Sequence, residues 1–293
     1  MIAPWFEPKL VCRPALPADT PAVLELCSHI WDGNDYLPNV WQDWQTDSHH
    51  HLIVAQWGAE IAGLINRMQL SPSEWYLAAL RVHPKYQGRG FSSHILQYAL
   101  DACMAEGGGE IRLLTTQSRK VVHHLCAKFN LSHTAEFHFV QAEPILGEPA
   151  QLQPLLPAEI EVGLDHLRQN PLFPPDLNLI DLGWEFCRPN LEWLTQAAAE
   201  ARAFSWHAGR GFFSIFFDEY DGLKFPYIES ITCHPIDLSD LLQDIRRWAG
   251  INRLPSIAWN ALSNPALTQS LTNAGYHMPE GRDILYLFER KKL

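Results

Sequence analysis

The stretch HPKYQGRGFS (residues 83–92) sets two glycines, Gly88 and Gly90, around Arg89, between the apolar strand WYLAALRV (75–82) and a helix. The helix is read from FSSHILQYALDACM, which puts Phe91, Ile95, Leu96, Ala99, Leu100 and Cys103 on one face. Two readings of the loop are open: a glycine turn that only connects the elements, or a cradle for an anion. A diphosphate needs several backbone N–H groups converging at a helix N-terminus, whose dipole favours negative charge. Glycines let the backbone come close and take positive φ. Gln87 to Ser92 supply that combination, with Arg89 as a cation and Ser92 as a small hydroxyl residue in the first turn. The loop is not a P-loop, because G-x-x-x-x-G-K is absent, and a dinucleotide fingerprint fails at position 93.

Further along, ITCHP (231–235) echoes LRVHP (80–84), but Ile236-Asp237-Leu238 lead straight into the helix LSDLLQDIRRWAG. No glycine intervenes, and Asp237 and Asp240 stand where a phosphate would sit. The connection from strand to helix therefore does not need glycines, and the extra residues of the first copy call for a ligand.

Outward from the loop, the first half reads as KLVCRPAL (9–16, strand), a helix capped by Asp19 and Thr20, and an aromatic turn-rich stretch (31–44). Two strands joined at Trp57-Gly58 follow (51–70), then the 75–82 strand and the helix, which Gly107–Gly109 stop. A strand (110–116), a helix around VVHHLCAKF and a closing strand TAEFHFVQAE complete it. Four prolines between 144 and 157 read as a linker. The second half repeats the pattern with strands FFSIFFDEY, FPYIESITCHP, LPSIAWNA and DILYLFERKK. The expected architecture is α/β: a unit over 1–145, a linker over 146–158 and a second unit over 159–293, each a mixed, mostly antiparallel sheet flanked by helices.

The chain has 293 residues, 47% apolar and 19% charged, enough for a full core. Its net charge of −11 argues against nucleic acid and against an anionic membrane surface, and an acidic rim suits a cationic substrate. The six cysteines are scattered without a C-x-x-C pair, as in a reducing compartment. MIAPWFEPKL lacks the regions of a signal peptide, and no apolar run approaches the roughly 20 residues of a membrane span. The expectation is a cytoplasmic protein, monomeric or homodimeric.

LRVHPKYQGRGFS resembles motif A of the GNAT superfamily of acyl-CoA N-acyltransferases, L-x-V-x-P-x-x-Q/R-x-x-G-x-G/A. Leu80, Val82, Pro84, Gln87 and Gly90 match it, and Ser92 departs from the usual Gly or Ala. The order of elements over 9–142 also fits, and the second half resembles a GNAT unit that has lost its cofactor loop. DGNDYLPNVWQDW (32–44) is similar to a stretch in the subgroup that includes histidine N-acetyltransferase. The resemblance implies acetyl-CoA as cosubstrate, held by Leu80, Arg81, Val82, Gln87, Gly88, Arg89, Gly90, Phe91 and Ser92. It implies transfer to a primary amine of a small molecule, an amino acid being one candidate. Transfer to a protein lysine or N-terminus, or CoA binding without catalysis, stay open. Asp32, Asn34, Asp35, Tyr36, Trp41 and Trp44 become candidate acceptor contacts, the tryptophans equally readable as core.

Such chemistry needs the amine placed, a proton removed and the thioester carbonyl polarised. The resemblance implies a backbone N–H near Arg81-Val82 for the carbonyl. Relatives often carry a carboxylate on this strand, but Ala78 and Ala79 stand there. Glu74 and Asp35 are the carboxylates to test, and Tyr36 joins them as a catalytic candidate. Glu74 is equally readable as a strand-start surface residue. Cys126 stands where the family often has a tyrosine acid, and a buried structural thiol is the alternative. Arg119 stands where an asparagine is common. His49–His51 and His123-His124 lack the spacing of metal ligands, so no metal is expected. No G-x-S-x-G elbow of a hydrolase occurs.

Overall fold

Sequence alternation and near-continuous apolar runs build strands that helices cover. The computed structural model describes residues 9–149, 151–220 and 223–291. Residues 1–8 of the start read above, and Lys292 at the end of the last expected strand, lie outside them. Contacts divide the chain into two units. The first takes residues up to 113, with 120–132 and those from 288 onward; the second takes 114–119 and 133–287.

In the first unit the elements are β1 (Leu10–Pro14), α1 (Thr20–Ser28), α2 (Leu37–Thr46), β2 (His50–Trp57), β3 (Glu60–Ser71), β4 (Glu74–Val82), α3 (Phe91–Ala105), β5 (Glu110–Thr116, whose last three residues count with the second unit) and α4 (Lys120–Lys128). The strands run β1-β2-β3-β4-β5, antiparallel as far as β4 and parallel from β4 to β5. Residues 61–68 of β3 are all buried, because α1 covers one side of it and α3 the other. Gly63 permits the close approach: a Cβ there would lie 2.6 Å from the Arg81 carbonyl oxygen and 2.7 Å from Ile95. Asp19 does not cap α1 with its side chain. It accepts from the Leu16 N–H at 2.7 Å and pairs with Arg13, so it closes the short 3-10 turn before the helix.

The second unit holds β6 (Ser132–Ala142, its first residue counting with the first unit), β7 (Leu152–Pro154), α5 (Ile160–Arg168), β8 (Ile180–Asp181), β9 (Phe186–Cys187), α6 (Leu191–Ala199), β10 (Ala203–Trp206), β11 (Gly211–Tyr220), β12 (Leu223–Cys233), α7 (Leu238–Ile251), β13 (Ile257–Leu262), α8 (Pro265–Asn273) and β14 (Leu285–Arg290), whose last three residues count with the first unit. Its sheet runs β6-β13-β12-β11-β10-β7. The strand that closes the first repeat in sequence thus belongs to the second unit, since β6 pairs with β13 from Phe137↔Leu262 to Ala142↔Ile257. The stretch read as a linker also carries structure, for β7 pairs with β10 and Pro157–Glu159 form a 3-10 turn. An edge strand tolerates Pro154, whose missing N–H costs no ladder bond on the open side.

Candidate active site

Both halves make the same local turn after His-Pro. His83 Nδ1 accepts from the Lys85 N–H at 3.2 Å, and His234 Nδ1 from the Ile236 N–H at 3.4 Å. Each histidine caps a 3-10 turn, Pro84–Tyr86 and Pro235–Asp237, which explains the echo as a structural device. Beyond the turn the copies differ. In the first, Gly88 has φ +76° and Gly90 φ +79°, and Gly90 is the N-cap of α3. Nothing lies within 4 Å of where a Cβ would stand at either glycine, so the concave side of the loop is open. The N–H groups of Gly88 to Ser92 donate to no described acceptor. In the second copy Asp237 leads directly into α7, and both its carboxylate oxygens accept from Arg210 at 2.8 Å.

A small apolar base holds this loop in place. Buried Tyr86 and Phe91 stack at 5.6 Å, Trp57 lies 5.1 Å from Phe91, and Val82 packs beside them. The Tyr86 hydroxyl donates to Glu60, which also pairs with Lys85. Gln87 Nε2 donates to the Val82 carbonyl at 3.3 Å, closing the loop on the end of its strand. Arg89 stays exposed above Tyr86, and Lys128 Nζ reaches Ser93 Oγ at 3.1 Å. Lys128 therefore adds a second cation at this helix end. Sequence reading missed it, although the residue lies in the segment compared with the family's tyrosine.

The strand leading to the loop is irregular where chemistry would need it. β4 pairs with β5 only from Glu74 to Tyr76, so the two parallel strands part beyond Tyr76↔Arg112. On its other edge the register passes from Asn66↔Ala78 to Leu64↔Arg81, which sets Ala79 and Leu80 against Ile65 alone. Ala79 has φ +55° at this bulge. A bulge turns backbone groups out of the ladder and re-aims side chains. Leu80, Arg81 and Val82 follow it, and Arg81 and Val82 return to the ladder opposite Leu64 and Gly63.

The Arg81 side chain goes to the aromatic stretch between α1 and α2. Asp35 Oδ2 accepts from its Nε at 2.9 Å and Oδ1 from its Nη2 at 3.0 Å, in a pair almost wholly buried. Asp35 Oδ1 also accepts from the Leu37 N–H at 3.3 Å. The Arg81 guanidinium stands 4.3 Å from the Trp31 ring and 5.5 Å from Tyr36. Asp35 is thus committed to a fork-like ion pair that pins this stretch to β4, a poor arrangement for a free base. Tyr36 is half-exposed and meets Trp44 edge-on at 6.3 Å. Trp41 is core and donates to Thr20 at 3.1 Å. Trp44 stacks on His50 at 4.9 Å, and the two line a cavity of about 360 Å³ with Gln45, His51, Arg67 and Tyr98. Behind His50, Asn66 is fully buried and gives its Nδ2 to His50 Nδ1 at 2.7 Å. Neither was a sequence candidate; two polar residues, Asn66 and Arg67, inside an otherwise apolar strand were the available signal.

Glu74 and Cys126 lie elsewhere. Glu74 starts β4, eight residues before Val82 and so about 26 Å from it along the strand. It is buried against Arg112, 2.6 Å away, which Glu110 and Glu289 also hold. This is neither the surface residue nor the free carboxylate that the sequence left open. Cys126 is fully buried in α4, and burial pushes its thiol up to about 12, far from a proton donor at neutral pH. Glu25, His29 and His83 bring three metal-binding atoms within 4.8 Å of one another. The cap bond to Lys85 occupies His83 Nδ1, which leaves the proton on Nε2 and disfavours a ligand role for that nitrogen. Among the described residues no helix is long and apolar enough to cross a membrane.

Residues 20–130, which span the open loop, the bulged strand and the Asp35–Arg81 pair, match the model of the acetyltransferase (GNAT) family. The chain carries a GNAT acetyltransferase domain. Solved structures extend the likeness to both units. A GCN5-related N-acetyltransferase from Sphaerobacter thermophilus has a TM-score of 0.64 at 14% identity, over 96% of this chain and 95% of that one. A tandem GNAT protein from the clavulanic acid biosynthesis pathway has 0.61 at 12%, over 97% and 98%. A GCN5-related N-acetyltransferase from Kribbella flavida has 0.61 at 12%, over 97% and 71%. At such identities the likeness carries the fold, two tandem GNAT-like units. Among curated proteins none matches the chain in sequence.

Proposed function

We propose that the protein transfers an acetyl group from acetyl-CoA to a primary amine of a small molecule. The observation that carries this is the open, glycine-built loop at the N-terminus of α3, with the N–H groups of residues 88–92 unused and Arg89 and Lys128 beside it. Those groups suit a pyrophosphate through the helix dipole and the convergent amides. A Cβ at either glycine would fill the space an anion needs, so the residues present fit CoA. When bound, CoA supplies an acetyl thioester, whose carbon the amine nitrogen attacks.

The remaining work falls to the chain. The backbone N–H expected near Arg81-Val82 to meet the carbonyl oxygen shifts to the Ala79–Leu80 bulge, since Arg81 and Val82 stay in the ladder opposite Leu64 and Gly63 while the strands part at the bulge. As the C–N bond forms the C–S bond breaks, and the nitrogen's proton ends on the departing sulfur, directly or through water. The balance therefore needs no side-chain acid, in keeping with the raised Cys126 thiol. The cavity of about 360 Å³ beside Trp44 and His50 falls in the range of small-molecule sites and favours a small acceptor over a protein.

Thiol release from acetyl-CoA against a library of amines, with CoA binding measured by calorimetry, tests this reading. Turnover with small amines is the expected result. CoA binding without turnover would establish the non-catalytic alternative, and turnover with peptides alone would move the acceptor to protein.

A further inference from the structure

The strand of a GNAT domain that faces the acceptor carries Ala78 and Ala79 here in place of a carboxylate. Opposite Ala78, on the neighbouring strand, is Asn66. We propose that Asn66, set in place by His50 and Asp47, is the hydrogen-bond acceptor that receives and orients the attacking amine. This rests on the acetyl-transfer reading above and names the group that places its acceptor.

The direction of the chain Asp47–His50–Asn66 follows from its charged end. Asp47 accepts the His49 N–H at 2.9 Å, which holds its carboxyl below the usual range, so it is an anion at neutral pH. Its Oδ2 lies 3.7 Å from His50 Nε2. An anion there favours the tautomer with the proton on Nε2 and leaves Nδ1 as an acceptor. Asn66 accordingly gives its NH₂ to Nδ1, at 2.7 Å, and turns its carbonyl the other way. That Oδ1 has no partner among the described residues, although the side chain has no exposed surface. A buried carbonyl oxygen without a donor is an unusual arrangement that a ligand N–H resolves. The small side chain of Ala78 stands opposite it on β4, Trp44 stacks on His50, and Tyr36 meets Trp44 edge-on. An amide oxygen takes one N–H of a neutral amine and leaves the nitrogen lone pair free to attack. It discriminates against tertiary amines, which have no N–H to give.

His50 works through Asn66 and is a positioning residue. Burial holds it below the ordinary histidine range, against the opposing charge of Asp47 and the bond to Asn66, while His49 and His51 add to the lowering. Once protonated, its Nδ1 becomes a donor. The Asn66 amide must then turn over and offer NH₂ to the amine, so turnover falls as pH drops through the His50 titration.

Steady-state turnover of the full-length protein, with the amine and acetyl-CoA varied separately, reads the proposal. Asn66→Ala is expected to lower kcat/KM for the amine roughly 10- to 100-fold, with CoA affinity by calorimetry unchanged. His50→Gln keeps an acceptor for the Asn66 NH₂ and should retain most activity while losing the acid limb. His50→Phe should fall as Asn66→Ala does. A merely structural His50 would leave the pH profile of the glutamine variant as in the wild type. Should Asn66→Ala lose CoA binding through misfolding, Asn66→Leu, of closer volume, replaces it. Asn66 variants that bind CoA and turn over within about twofold of wild type overturn the proposal alone. A wild-type protein that neither binds CoA nor acetylates any amine overturns the reading beneath it as well.

Discussion

Gly90 illustrates how a residue type can be legible before its reason is. Its φ of +79° is a conformation that costs another residue about 1 kcal/mol, yet a Cβ would meet no neighbour. Gly90→Val should therefore fold with a small loss of stability and weaken CoA binding more than about tenfold, because the side chain occupies the anion's place. Calorimetric titration with CoA checks this, and unchanged affinity would refute the cradle. Glu74 shows the opposite case. Its chemistry suited a base, but Arg112 stands 2.6 Å away in a buried cluster. Glu74→Gln should cost about 1–3 kcal/mol in urea unfolding and leave kcat intact. A large fall in kcat with unchanged stability would return it to the active site. Glycine spacing survives in a string of letters, whereas the partner of a carboxylate 38 residues away does not.

At the scale of elements, β4 and β12 share one design. Each pairs in parallel with its neighbour over a short stretch, β4 to Tyr76↔Arg112 and β12 only at Tyr227↔Ala258. Each is bulged near the same place, around Ala79 and around Glu229. The His-Pro echo announced this kinship, but bulge and splay depend on register between strands, which no single strand's sequence reveals. The β8–β9 hairpin leaves no periodic signal in the sequence, since its strands are two residues long. It buries Asp181, whose carboxyl burial raises to about 6 despite bonds from Asn260 and the N–H groups of Trp184 and Gly183. A raised carboxyl favours the folded state below its unfolded value near 3.9, and that contribution fades as pH rises through 6. Asp181→Asn removes the cost of ionisation. It should gain up to about 2–3 kcal/mol on the wild type at pH 8 relative to pH 4, read from denaturant melts. An equal difference at both pH values would show that Asp181 titrates normally.

For the whole molecule, the two units divide the ingredients of a transferase unequally. The first has the open glycine loop; the second closes the equivalent place with Asp237 and Arg210. One CoA per chain is the expected stoichiometry by titration, and two would mean that the second unit binds through a different surface. The tandem organisation was legible from the repeat. The division of the chain was not, because β6 follows the first repeat in sequence and pairs in register with β13 of the second. Pairing is a long-range choice among strands of similar composition, and prolines at an edge read like a linker.

By itself the sequence determined the tandem α/β plan, the glycine-built loop before α3 and its absence from the second copy. These rest on local preferences: glycine's access to positive φ, apolar periodicity, and the turn that follows His-Pro. Only the tertiary structure decided which side chains meet. It committed Asp35 to Arg81 and Glu74 to Arg112, buried Cys126, and brought Asp47, His50 and Asn66 into line beside Ala78. Charge pairing and desolvation act across space between residues far apart in the chain, so the role of an acidic or polar residue is set by its partners and not by its place in the sequence.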